Sequence, residues 1–184
     1  VAIDPRNGEI LALVSTPGYD PNPFVKGISS AAYQALQKDP NKPLINRAIR
    51  GTYPPGSTIK PYMALAGLES GVVTPSFTIS DPGWFKLPGA SHIYHDWKKG
   101  GHGSVSMENG IIQSCDVYFY TLANKLGINR MHDILAQFGF GQMTGIDTYS
   151  ELPGVNPSPQ WKLKAKNERW YPGDTINAGI GQGY

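Results

Sequence analysis

Thr52-Tyr53-Pro54-Pro55-Gly56-Ser57-Thr58-Ile59-Lys60-Pro61 is the stretch on which the reading of this chain turns. Pro54, Pro55 and Gly56 halt any preceding element, and after them Met63, Ala66 and Gly67 repeat at helical spacing. Pro61 fits a helix only in its first turn, where a missing N–H leaves nothing unpaired, so a helix is predicted to begin close to Ser57. Ser57 and Lys60 then read as S-x-x-K. A serine hydroxyl is a weak nucleophile until a base takes its proton, and a lysine three residues along a helix lies on the same face. That lysine serves as a base only where burial or a neighbouring positive dipole favours its neutral form. The helix start adds free N–H groups and partial positive charge, which favour an alkoxide or an oxyanion.

Outward from this stretch the chain alternates order and punctuation. Upstream, Val1 to Asp4 and Glu9 to Val14 are β-prone runs around Pro5-Arg6-Asn7-Gly8, and Asn-Gly tolerates the positive φ of a tight hairpin turn. A Pro-rich loop from Pro17 to Phe24 leads to a short helix capped by Ser29 or Ser30 and ending near Lys38. Downstream, residues 71–105 read as irregular and hold three of the four histidines. Helices are predicted over about Ser106 to Gln113, Val117 to Lys125 and Asn129 to Phe138, the last stopped by Gly139. Residues 141–184 again read as irregular. A hairpin followed by helices implies a sheet beside a helical subdomain.

Between two of those helices Ser114-Cys115-Asp116 offers a second serine and a carboxylate to the cleft of Ser57; local sequence equally allows Ser114 and Asp116 merely to cap the helix at Val117.

Composition narrows the function classes. The 184 residues are 40% hydrophobic and 16% charged with net charge +2, enough apolar content for a real core and no basic run suited to nucleic acid. The 22 glycines and 16 prolines exclude a plain helical bundle. One cysteine excludes an internal disulfide, and no run of about 18 apolar residues spans a bilayer. Starting at Val1 and stopping after Gly181-Gln182-Gly183-Tyr184, the chain reads as a piece of a longer protein.

S-x-x-K with a later S-D-N and K-T-G is the signature of penicillin-binding proteins and class A β-lactamases, and Ser114-Cys115-Asp116 stands in the place of the second. The chain resembles the transpeptidase domain of class B penicillin-binding proteins, and among them the elongation type of rod-shaped Gram-negative bacteria. The resemblance rests on Asp4-Pro5-Arg6-Asn7-Gly8-Glu9-Ile10-Leu11-Ala12, Tyr53 to Pro61, Asp81-Pro82-Gly83-Trp84, Asp96-Trp97-Lys98-Lys99, Gly173-Asp174-Thr175 and Gly179 to Tyr184. It implies an α/β (α+β) serine β-lactamase/transpeptidase-like fold, an antiparallel sheet with a helical subdomain. Residues 1–184 would be a partial transpeptidase domain, with a sheet hairpin at 1–16, a mainly helical and loop subdomain at 29–184, and the later strands missing.

By motif the resemblance implies Ser57 as the acylated nucleophile, Lys60 as its base and Ser114 as a proton relay toward the leaving amine. Asp116 stands where the motif usually has Asn, so its donor role toward a substrate amide is unsupported. No K-T-G or K-S-G occurs. The implied reaction is peptidoglycan crosslinking on D-Ala-D-Ala stem peptides, blocked by β-lactams, with no cofactor for catalysis. A D,D-carboxypeptidase or β-lactamase of the same fold, or a non-catalytic β-lactam sensor or scaffold, are the alternatives. An inner-membrane anchor outside this chain, a periplasmic domain, and the elongation-complex glycosyltransferase and scaffold proteins as partners are implied in the same way.

Cys115 lies inside the second motif, and Asp81, Asp96 and His102 precede it. Cys, His and carboxylate are all zinc ligands, and four of them close a structural site that would staple the 71–105 segment to the helix carrying Ser114. His92 and His95 are alternative ligands, and a buried Cys115 with no metal is the plain alternative. His132 reads as a packing residue. Trp84, Trp97, Trp161 and Trp170 read as core rather than as a groove for strands. Gly139-Phe140-Gly141 and Gly179 to Gly183 lack a phosphate-loop context and read as close backbone packing near the cleft.

Overall fold

The computed structural model describes residues 1–184, which divide into two units: residues 1–52 with 143–153, and residues 53–142 with 154–184. In the first unit β1 (Ala2–Ile3) pairs antiparallel with β2 (Ile10–Ala12), Ala2 opposite Ala12. Asn7 and Gly8 make the expected turn: Asn7 Oδ1 accepts the Glu9 N–H at 3.0 Å, and Gly8 holds φ +79° while donating to Asp4 O at 2.8 Å. Short helices α1 (Asn22–Val25), α2 (Ser30–Lys38) and α3 (Arg47–Arg50) follow. Ser29 caps α2 through the Ala32 N–H, as the sequence predicts.

The second unit is built on the helix after the Pro-Pro-Gly break. A 3-10 turn, Gly56–Ile59, feeds α4 (Lys60–Glu69), so Ser57 sits on the turn and Lys60 opens the helix. Residues 71–105, read as irregular, form two antiparallel ladders: β3 (Thr78–Asp81) with β6 (Gly103–Ser106), and between them β4 (Trp84–Lys86) with β5 (Ile93–His95). Their glycines hid them. Gly101 holds φ +77° with its α-carbon against the Asp81 carbonyl, where any Cβ would collide, so these glycines close tight corners and do not mark loose chain.

Then come α5 (Met107–Ile112), capped by Ser106, and α6 (Asp116–Gln137), broken at Gly127 by φ +72°, which accounts for the two helices expected there. The first half of α6 is buried over most of its surface, with Val117, Tyr118, Phe119, Leu122 and Ala123 all buried and only Thr121, Asn124 and Lys125 forming a narrow polar side. It packs on α4, where Gly67 lets Leu122 and Val73 close in, and on α8 (Pro172–Ala178). Each fully buried Met63, Phe119 and Leu122 side chain contributes about 1.5–3 kcal/mol.

Residues 141–184 are also more ordered than expected, with α7 (Pro159–Lys166) and α8. Both begin with proline at the first helical position, and Ser158 caps α7 through the Trp161 N–H at 3.1 Å. The tryptophans divide. Trp161 and Trp170 pack on Tyr184, whereas Trp84 and Trp97 are 48% and 64% exposed, contrary to the core reading. His132 is a packing residue, its Nδ1 3.2 Å from Pro157 O.

Candidate active site

Ser57, Lys60, Ser114 and Asp116 come together. Ser57 is exposed on its turn, while Lys60 is 1% exposed, carried inward by the start of α4. Lys60 Nζ donates to Ser114 Oγ at 3.0 Å, to Ser114 O at 2.9 Å and to Asp116 Oδ1 at 2.6 Å. Those three acceptors match the three donors of an ammonium group. Ser114 Oγ in turn lies 2.9 Å from Ser57 Oγ. The direct Ser57–Lys60 pair expected from S-x-x-K spacing is therefore replaced by a chain, Ser57 to Ser114 to Lys60. The reason lies in the partners and not in the turn, which keeps residues three apart on one face: Ser114 and Asp116 draw the ammonium toward α6.

The capping alternative for Ser114 and Asp116 gives way to a different cap. Cys115 is the N-cap of α6, its Sγ accepting the Tyr118 N–H at 3.3 Å, and Asp96 Oδ2 accepts the Val117 N–H at 3.1 Å. This leaves both flanking side chains free to face Lys60. Ser114 holds φ +53°, a left-handed conformation uncommon outside glycine. The Ser114-Cys115-Asp116 turn is thus bent against local preference and held from both sides.

The run Gly179 to Gly183 packs close to Ser57, as its glycines suggest. Gly56 N donates to Gly181 O at 2.9 Å, and a Cβ at Gly181, which holds φ +68°, would strike the Gly56 backbone.

Behind the turn, Asp81, Asp96, His102 and Cys115 offer donor atoms that lie within 4.8 Å of one another. His102 is the histidine brought in, with Nδ1 2.7 Å from Asp81 Oδ2 and 3.6 Å from Asp96 Oδ1. His92 and His95, the alternatives, are exposed. Cys115 Sγ donates to Asp81 Oδ2 at 3.3 Å. Burial alone would raise the Asp81 carboxyl, but the Gly83 N–H, His102 and Cys115 outweigh it and hold the group below its ordinary value. Burial pushes the Cys115 thiol well up, with the Asp81 and Asp96 charges adding to it against the Tyr118 N–H.

The donor set fits zinc. Bond lengths of about 2.0–2.3 Å in a tetrahedron put donors about 3.4 Å apart, so the cluster present, within 4.8 Å, would draw in around the ion. Two buried carboxylates facing one imidazole leave negative charge that a dication offsets, and all four residues already converge without a backbone rearrangement.

Two side chains already quoted from the sequence have roles at the site that their motif does not state. Asp96 caps α6 from a distant loop. Trp97 donates its indole N–H to Gln113 O at 3.1 Å, beside the catalytic turn, and its ring lies edge-on to His102 at 5.4 Å. Alternation of Tyr94 inward, His95 outward, Asp96 inward and Trp97 outward is the signal that would have revealed both.

Comparison with known proteins gives one answer. The family model described as "Penicillin binding protein transpeptidase domain" matches residues 1–184. The peptidoglycan D,D-transpeptidase MrdA of Acinetobacter baumannii is 55% identical over 183 residues, covering 100% of this chain, which spans 27% of that relative's length. The structure of Pseudomonas aeruginosa PBP2 in complex with WCK 5153 superposes with TM-score 0.91 at 52% identity, over 99% of this chain and 40% of that one. A complex of Helicobacter pylori PBP2 with MreC matches with TM-score 0.90 at 41% identity, over 98% of this chain and 34% of that one.

Proposed function

Because this chain belongs to the penicillin-binding protein transpeptidase family, we propose that it is the nucleophile-bearing part of a peptidoglycan D,D-transpeptidase of the elongation type. The observation that carries the reading is the continuous contact from exposed Ser57 through Ser114 to buried Lys60.

Ser57 Oγ attacks the carbonyl carbon of the D-Ala-D-Ala peptide bond of a donor stem peptide. Its proton passes to Ser114 Oγ while Ser114 passes its own to Lys60 Nζ, which acts as the base once it has released a proton to solvent. The ammonium so formed meets three acceptors already in place, Ser114 Oγ, Ser114 O and Asp116 Oδ1, which stabilise it as charge develops. The route then runs in reverse: a proton returns through Ser114 to the nitrogen of the breaking C–N bond, and D-alanine leaves. An amino group of a neighbouring strand attacks the ester on Ser57, forming the crosslink and restoring the serine.

Asp116 acts here as an acceptor that fixes Lys60, a part a carboxylate can take at a position that usually carries Asn. A β-lactam follows the same first step, but its amide nitrogen stays tethered after the ring opens, so the acyl-enzyme persists. Incubating the full-length protein with a reporter penicillin tests this: one adduct on the peptide containing Ser57 is expected, and an adduct elsewhere or none overturns it.

Asp81, Asp96, His102 and Cys115 would hold a structural zinc ion. When bound, zinc would supply a closed four-ligand staple joining β3, the loop after β5 and the catalytic turn. Each residue has a role in this without the ion as well: Asp96 and Cys115 cap α6, and Asp81 orders the Gly83 and His102 backbone. Metal analysis of the purified full-length protein should find about one zinc per chain, lost in Cys115→Ala together with several degrees of melting temperature. A metal-free wild type sinks the assignment.

The wider setting follows from the same reading. The H. pylori relative bound to MreC and the MrdA relatives support a place in the elongation machinery, with a scaffold protein and a glycosyltransferase as partners. No helix of this chain is long and apolar enough to cross a membrane. We place the domain in the periplasm, held to the inner membrane by an anchor in another part of the protein.

A further inference from the structure

The β4–β5 hairpin has two unlike faces. Phe85 opposes Tyr94 across the ladder, and both turn inward, with Tyr94 packed on Tyr120 of α6 at a ring separation of 5.5 Å. Trp84 opposes His95, and Lys86 opposes Ile93; these four are exposed. Asp96 N donates to Gly83 O at 3.0 Å, which extends the pairing by one residue and carries the alternation on to Trp97, also exposed. Two tryptophans therefore stand on the outward side of one short, rigid hairpin. Burial of Phe85 and Tyr94 explains the inner face, and the Trp97 indole N–H has a partner in Gln113 O, but both rings keep about half or more of their surface exposed, Trp84 48% and Trp97 64%.

The outward surface also has a single sign of charge. Between Pro82 and Ser106 the only acidic residue is Asp96, which is buried, while Lys86, Lys98 and Lys99 are exposed. The face is continuous with the catalytic turn, because the Trp97 indole N–H is bonded to the carbonyl of Gln113, the residue before Ser114. Its ring is fixed a second time against His102. An exposed indole held at two points loses little freedom when a ligand settles on it.

We propose that this outward face, Trp84 and Trp97 with Lys98 and Lys99, is a binding surface for a peptidoglycan strand. The aromatic planes would take the C–H faces of the sugar rings, and the lysines the carboxylates of the attached peptides. Resting on the transpeptidase reading, it adds where the polymer lies: along the β4–β5 hairpin and up to the Ser114 turn. A flexible polymer of weak individual contacts is best held by a surface that leads to the reacting serine, since this raises the local concentration of peptide there.

The test uses the full-length protein and fluorescently labelled, uncrosslinked peptidoglycan strands, with binding read by anisotropy. Trp84→Ala with Trp97→Ala should weaken strand binding at least tenfold, and Trp84→Phe with Trp97→Phe, which keeps aromatic planes but drops the Gln113 bond, should restore most of it. Lys98→Ala with Lys99→Ala should flatten the salt dependence of binding. Melting temperatures of all variants establish that the fold persists. Wild-type affinity in the alanine pair overturns the proposal, as does an absence of strand binding by the wild type. Loss of association with a protein partner at unchanged strand affinity would instead make the face a protein interface, and also overturns it. Reporter-penicillin labelling of the wild type, run in parallel, keeps the two readings apart: an unlabelled Ser57 removes the transpeptidase reading, whereas a labelled Ser57 with unaltered strand binding in the alanine pair removes only this one.

Discussion

Ser57→Ala in the full-length protein should form no covalent adduct with a reporter penicillin and support no crosslinking, a loss of at least about 10^5-fold, the scale on which removing the nucleophile acts in serine acyl transfer. Ser57 is exposed on the 3-10 turn, and its side chain engages Ser114 Oγ, so the substitution costs only about 0.5–1.5 kcal/mol of stability. The variant is therefore expected folded and inert. Ser114 does not stand in for the missing hydroxyl: it sits below the rim of the site, and its Oγ already receives the Lys60 N–H. Fluorescence on a denaturing gel reads the adduct, and peptide mass spectrometry locates it. An adduct in Ser57→Ala on any peptide would remove Ser57 from its role.

Lys60→Ala should be nearly as severe, for two separable reasons. Chemically, the proton route from Ser57 ends at Ser114 with no amine to receive it, which lowers acylation by about 10^2–10^4-fold on the scale of lost general-base catalysis. Structurally, Asp116 loses the cation that lies 2.6 Å away, and a broken buried pair costs about 3–5 kcal/mol because the surviving charge is left unpaired. Asp116 keeps 17% of its side-chain surface, so the cost falls toward the lower end. The pair Lys60→Met with Asp116→Asn separates the two effects: it removes the orphaned charge and should recover most of the melting temperature while acylation stays lost. Recovery of acylation in that pair would show that Lys60 only holds the turn in place.

The residues that carry chemistry were easier to read than the chain between them. Asn7-Gly8, the Ser29 cap and the Pro-Pro-Gly break before Ser57 act through local backbone preference, which sequence states directly. The grouping of Asp81, Asp96, His102 and Cys115 was legible only through donor type and the family resemblance, since nothing local brings them together. What stayed hidden depends on tertiary partners. Four strands between residues 78 and 106 lie among glycines at positive φ, so the usual breaker signals stood at the corners of real ladders. Ser158-Pro159 and Tyr171-Pro172 were helix starts, but the helices after them carry too little apolar periodicity to announce themselves. The role of Asp116 was invisible because it depends on where Lys60, fifty-six positions earlier, places its amine. Trp84 and Trp97 were assigned to the core on residue type, and strand alternation decided otherwise.

The contact between Gly56 and Gly181 carries a consequence for timing. The turn that presents Ser57 has its N–H partner at the far end of this stretch, so a ribosome must deliver almost all of it before the nucleophile can settle. Contacts this distant in sequence form late in folding. Until the chain reaches Gly181, the turn that presents Ser57 would have to wait without its carbonyl partner, open to water and to rearrangement.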